Sequence, residues 1–123
     1  VVLFPLLNTR PFSRKASGFF RRSGELYAPS VWEAEVASTL WMACRSGVID
    51  TAQALTRIRW AGRLSIRTVD IQRLWEGALL RAAETDHPVY DTLYVELAER
   101  LSMPLVTFDE SLLTRFPGIA RPP

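Results

Sequence analysis

Apolar residues recur at helical spacing along most of the chain, and alternate with polar ones in one short stretch between the helical segments. Val36, Ala37, Leu40, Trp41 and Cys44 share one face of a helix expected from a Ser30 cap to about Ser46. Ser30-Val31-Trp32-Glu33 has the form of a capping box, and Gly47 follows as a C-terminal stop. Ala54, Leu55 and Ile58 predict a second helix from Thr51 to about Ala61. After an Asp70 cap, Ile71, Leu74, Trp75, Ala78, Leu79 and Ala82 predict a third. His87-Pro88 interrupts the pattern. A further helix, starting at Val89 or Tyr90, carries Leu93, Tyr94, Leu97, Ala98 and Leu101 on one side.

Between these segments lie candidate strands. Leu26-Tyr27-Ala28 is stopped by Pro29, Leu64–Val69 alternates with the period of a half-buried strand, and Pro104–Phe108 is a short apolar run. Phe12–Arg22 is basic and helix-compatible, with Ala16, Phe19 and Phe20 on its apolar side. Ser111–Phe116 predicts a last helical turn, and Pro117–Pro123 a loose tail. Strands separated by helices imply crossover connections and an α/β fold with a central, mainly parallel sheet. Working sites of such sheets lie at the carboxyl ends of the strands, where Asp109 would stand.

Composition narrows the class. A chain of 123 residues, 48% hydrophobic and 23% charged, predicts a single globular domain spanning 1–123. The net charge is only +2, but every basic residue except Lys15 is arginine, a mild bias toward a polyanionic partner. A lone cysteine, Cys44, excludes an intrachain disulfide and suits a reducing cytoplasm. Val1–Leu7 is apolar but too short to span a membrane and follows no basic segment, so neither a membrane protein nor a signal peptide is expected.

Most acidic residues read as caps (Glu33, Asp70) or as solvated groups (Glu84, Asp86, Glu99, Glu110). Glu35, Asp91 and Asp109 differ, because each is set among apolar neighbours. Burying an isolated carboxylate costs several kcal/mol as an order of magnitude, and converging carboxylates repel one another; a hard divalent cation reverses both penalties. Taken singly, Asp91 also fits a helix cap, Asp109 a strand-end cap and Glu35 an arginine partner. Spacing leaves these alternatives open.

Three motifs in order resemble a known family. Tyr27-Ala28-Pro29 followed by Glu35-Val36-Ala37-Ser38-Thr39-Leu40, then His87-Pro88-Val89-Tyr90-Asp91-Thr92-Leu93-Tyr94 running on to Ala98, then Pro104-Leu105-Val106-Thr107-Phe108-Asp109, resemble PIN domains, most closely VapC-type toxins of bacterial toxin–antitoxin pairs. The resemblance implies a three-layer α/β/α fold and an acidic cluster holding Mg²⁺ or Mn²⁺, which activates water to hydrolyse RNA phosphodiester bonds. Glu35, Asp91 and Asp109 would be its catalytic and metal-binding acids, with Thr107 supporting the site. A cognate antitoxin, a homodimer and a cytoplasmic location are implied likewise. His87 is expected to be a loop residue rather than a catalyst.

One part of the pattern is missing. The family's first acid ends its first strand, whereas here the first acidic residue is Glu25. In the favoured register Val1–Leu7 follows that acid, which would stand about two residues before Val1. In the other register Val1–Leu7 is the first strand and Asn8 replaces the acid. A truncated or degenerate gene product is therefore expected. The alternative function is an impaired scaffold that binds RNA or an antitoxin peptide without turnover.

Overall fold

A computed structural model describes residues 2–3 and 24–123. The expected helix over 12–22 and Asn8 lie outside the described residues. Five short strands form one sheet: β1 (Val2–Leu3), β2 (Leu26–Pro29), β3 (Ile66–Val69), β4 (Leu105–Val106) and β5 (Ala120–Arg121). Their order is β3-β2-β1-β4-β5, and every pairing is parallel. Val2 and Leu3 pair with Leu105 and Val106, so these two residues supply a strand at the centre of the sheet. The residues expected as a loose tail instead carry β5. Its edge is fixed by Leu105 N–H to Ile119 O at 2.9 Å and Thr107 N–H to Arg121 O at 3.1 Å, with Ala120 buried.

The helices are α1 (Trp32–Arg45), α2 (Thr51–Ala61), α3 (Trp75–Thr85), α4 (Val89–Leu101) and α5 (Glu110–Arg115). A 3₁₀ turn over Ile71–Arg73, capped by the Asp70 carboxylate on Gln72 N–H, precedes α3. No described helix is long and apolar enough to cross a membrane.

Helix α4 is the axis of the packing. Seven successive residues, Thr92–Ala98, are buried, because α4 is covered by α3 and also packs on β1, β2 and β4. The expected apolar face of Leu93, Tyr94, Leu97 and Ala98 lies in this core with Leu74, Ala78 and Leu105. Its two polar members are satisfied. Thr92 Oγ1 donates to Ala78 O at 2.8 Å, while the Glu96 carboxylate accepts from Arg81 at 3.1 Å and Arg100 at 2.7 Å. Gly77 makes room for this group, since a Cβ there would overlap the Glu96 carboxylate.

A second cluster joins α1 and α2 through Val36, Leu40, Ala43, Ile49 and Ala61, and Trp32 packs against both clusters. This arrangement corrects the expected face of α1. Ala43 is buried, whereas Ala37 and Trp41 are exposed, because α2 covers one narrow stripe only. Trp75 and Leu79 on α3 are exposed as well. The Ser30 capping box does not form either. Val31 is the N-cap of α1, and Ser30 Oγ accepts from Ile71 N–H at 3.3 Å, tying the end of β2 to the 3₁₀ turn after β3. A capping box does form at α2, where Asp50 and Gln53 bond reciprocally at 2.7 and 2.9 Å.

Candidate active site

Three helices begin around one cleft, and each contributes an acid near its start. Glu35 lies in the first turn of α1, Asp91 in the first turn of α4, and Asp109 is the N-cap of α5. The N-terminal end of a helix carries partial positive charge, which favours carboxylates there. The sheet dictates this convergence: α1 follows the carboxyl end of β2 after a two-residue turn, and α5 follows that of β4. The cleft encloses about 860 Å³ and is open to solvent; Glu35, Asp91, Thr107 and Asp109 all line it. Ser38, Met42 and Val48 extend it along α1, and the exposed rings of Tyr90 and Phe108 flank the acids.

Each carboxylate has one oxygen engaged by the protein. Tyr94 donates its hydroxyl to Glu35 Oε2 at 2.9 Å. Glu35 Oε1 is buried and has no hydrogen-bond partner among the described residues. Asp109 Oδ1 accepts from Leu112 N–H at 3.0 Å, which makes this acid a helix cap as well as a cleft residue. Thr107, fully buried, accepts Asp109 N–H on its Oγ1 at 2.9 Å and so fixes the turn between β4 and α5. His87 Nε2 stands 3.0 Å from Asp91 Oδ2, an ion-pair distance, without an N–H aimed at that oxygen as in a hydrogen bond.

The acids sense one another. Burial raises the Glu35 carboxyl above its ordinary range; the Tyr94 hydrogen bond opposes this and the Asp91 charge adds to it. Burial also raises Asp91, with His87 pulling it down and Asp109 pushing it up. Burial, reinforced by Glu35, raises the Tyr94 phenol far above its normal value, so it remains a proton donor. Among the described residues, no three or more His, Cys, Asp or Glu side chains are gathered closely enough to hold a metal ion as they stand.

The three acids and Thr107 singled out in the sequence thus share one cleft. Two neighbours play parts beyond those the sequence suggests, His87 expected as a loop residue and Tyr94 as part of an apolar helix face. His87 is a mostly buried neighbour of Asp91 that also meets the Phe116 ring edge-on at 5.7 Å, and its i,i+4 spacing from Asp91 was the available signal. Tyr94, which reads as a core residue, carries its hydroxyl to an acid 59 positions away, and no local pattern reports such a contact.

A PIN-domain family model matches residues 1–118. Among individual proteins, Ribonuclease VapC3 of Pyrobaculum aerophilum is 28% identical over 112 residues, covering 89% of this chain and 86% of that protein.

Proposed function

The chain belongs to the PIN-domain family, and on that premise we propose that it is a divalent-metal-dependent endoribonuclease, the toxin of a bacterial toxin–antitoxin pair. Its fold would be the three-layer α/β/α arrangement of that family. Glu35, Asp91 and Asp109 would hold Mg²⁺ or Mn²⁺. The observation that carries the reading is Glu35 Oε1, a buried carboxylate oxygen without a described partner in the cleft that Asp91 and Asp109 also line. A buried anion with an idle oxygen is costly to retain, and a hard cation is the partner its chemistry suits. An all-carboxylate set beside solvent suits Mg²⁺ or Mn²⁺ better than softer metals. The likeness to a ribonuclease supports RNA as the substrate.

When bound, the cation eases loss of a proton from water and neutralises charge gathering on the phosphate. The chain's own groups set the stage for this. Thr107 and the Leu112 N–H hold Asp109 at the end of β4, His87 restrains Asp91, and Tyr94 restrains Glu35. Burial, and the lesser carboxylate repulsion, raise Glu35 and Asp91, and a bound cation would offset both. A cognate antitoxin that lays a cation among these acids would block the site, and the active form would be a cytoplasmic homodimer.

A second reading, a scaffold that holds RNA or an antitoxin peptide without turnover, is favoured by the separation of the acids among the described residues. RNA cleavage separates the two. The 123-residue chain should cut single-stranded RNA with Mn²⁺ and stop in EDTA. Loss of a supporting group at a metal site costs about 10–100-fold, so Asp91→Asn, which removes a ligand, should cost about 100-fold or more. Cleavage that persists in EDTA or in Asp91→Asn contradicts the proposal; RNA retained uncut favours the scaffold.

A further inference from the structure

Tyr94 sits three residues after Asp91 on α4, so the two lie one above the other on the same side of the helix. Its side chain is fully buried, and its hydroxyl crosses from α4 to α1 to reach Glu35 Oε2 at 2.9 Å. The ring alone would fill the core. The hydroxyl does something else: it fixes one oxygen of the longest of the three acidic side chains and leaves Oε1 unengaged among the described residues.

A glutamate has one more rotatable bond than an aspartate, and ordering it against water carries a side-chain entropy penalty. Asp109 is already held by its own helix cap, and Asp91 has His87 Nε2 at 3.0 Å from its Oδ2. Glu35 has no such local tether, and among the described residues its carboxylate is held by a hydrogen bond from α4. Bonds of this kind to metal ligands orient them before the ion arrives. We propose that Tyr94 is a positioning residue, whose hydroxyl holds Glu35 Oε2 so that Oε1 is presented to a divalent cation shared with Asp91. The inference rests on the metal-site reading above and adds that α4 supplies both a ligand and the group that aims a ligand on α1. Tyr94 thereby ties the geometry of the site to the position of α4 through its hydrogen bond to Glu35 of α1.

The test is calorimetric titration of the 123-residue chain with Mn²⁺ alone, with melting followed on the same samples. Tyr94→Phe keeps the ring and removes one oxygen. Its Mn²⁺ affinity should fall about ten-fold while a cooperative melt is retained. Glu35→Asp is an independent arm, because the shorter acid keeps its charge but falls short of the hydroxyl; it too should bind more weakly. Adding Tyr94→Phe to Glu35→Gln should change affinity no further. Wild-type affinity in a folded Tyr94→Phe chain, or in Glu35→Asp, overturns the positioning role and leaves the metal site standing. Absence of Mn²⁺ binding by the unmodified chain overturns the metal-site reading, and this inference with it.

Discussion

A carboxylate held half out of water beside another carboxylate stores repulsion, and Glu35 and Asp91 are both in that condition. Burial first, and the neighbouring charge second, raise their pKa values in the folded chain, so folding favours their protonated forms. The stability they contribute is full below the ordinary carboxylate range, about pH 4, and is lost as pH rises through their raised values. The metal-free protein should therefore gain from neutralising one of them. Glu35→Gln, which keeps an acceptor for Tyr94, should melt above the unmodified chain in EDTA at pH 7.5. Because the group is partly exposed, the gain should be about 1 kcal/mol or less, or up to about 4 °C. The difference should vanish near about pH 4 and reverse on adding Mn²⁺, which stabilises only the protein that binds it. Equal melting at both pH values would contradict this. Thr107 acts at the same scale by another route: Thr107→Val leaves Asp109 N–H without its acceptor, and thermal denaturation should show a loss of about 1–2 kcal/mol.

Among the elements, the α3–α4 pair shows how a polar group is built into a helix covered on all sides. Glycine inside a helix is usually about 1 kcal/mol worse than alanine, yet Gly77 is the residue that leaves space for the Glu96 carboxylate. Gly77→Ala should therefore lower the melting temperature instead of raising it. In a Glu96→Ala background the same change should become neutral or stabilising, and additive effects in that double-mutant cycle would refute the contact. Elsewhere the elements follow the sequence pattern closely where it is long. Helices α1, α2 and α4 have near their expected limits, because several turns of apolar spacing outweigh any single residue. Short features were less legible. Ser30 has the composition of a cap but lies against the 3₁₀ turn 41 residues away, and that contact takes its hydroxyl. Strand β5 is two residues between prolines, with no alternation to reveal it; its evidence is the edge of β4. The exposure of Trp41 follows from how narrowly α2 covers α1, which the periodicity of α1 alone does not encode.

The molecule as a whole uses its parallel sheet to bring three helix starts to one cleft. Glu35, Asp91 and Asp109 stood out as acids with no surface role, and the fold places them along one cavity. The Tyr94 restraint was not legible, because it depends on a side-chain direction set by packing between elements, whereas the i,i+4 spacing of His87 and Asp91 was there to be read. The sheet also links its far edge to the site: Thr107, which holds Asp109, is itself bonded through its N–H to Arg121 of β5. Removing residues 119–123 should thus lower both thermal stability and Mn²⁺ affinity. Unchanged affinity in the shortened chain would uncouple β5 from the cleft.

The central claim is that three helix starts jointly hold one divalent cation. Anomalous diffraction from crystals of the chain grown with Mn²⁺ tests it most directly. The account predicts an anomalous peak in the cleft at ligand distance, about 2.0–2.2 Å, from oxygens of Glu35, Asp91 and Asp109, with Glu35 Oε1 among them. No peak there at saturating Mn²⁺, or a peak bound by other residues, would contradict it.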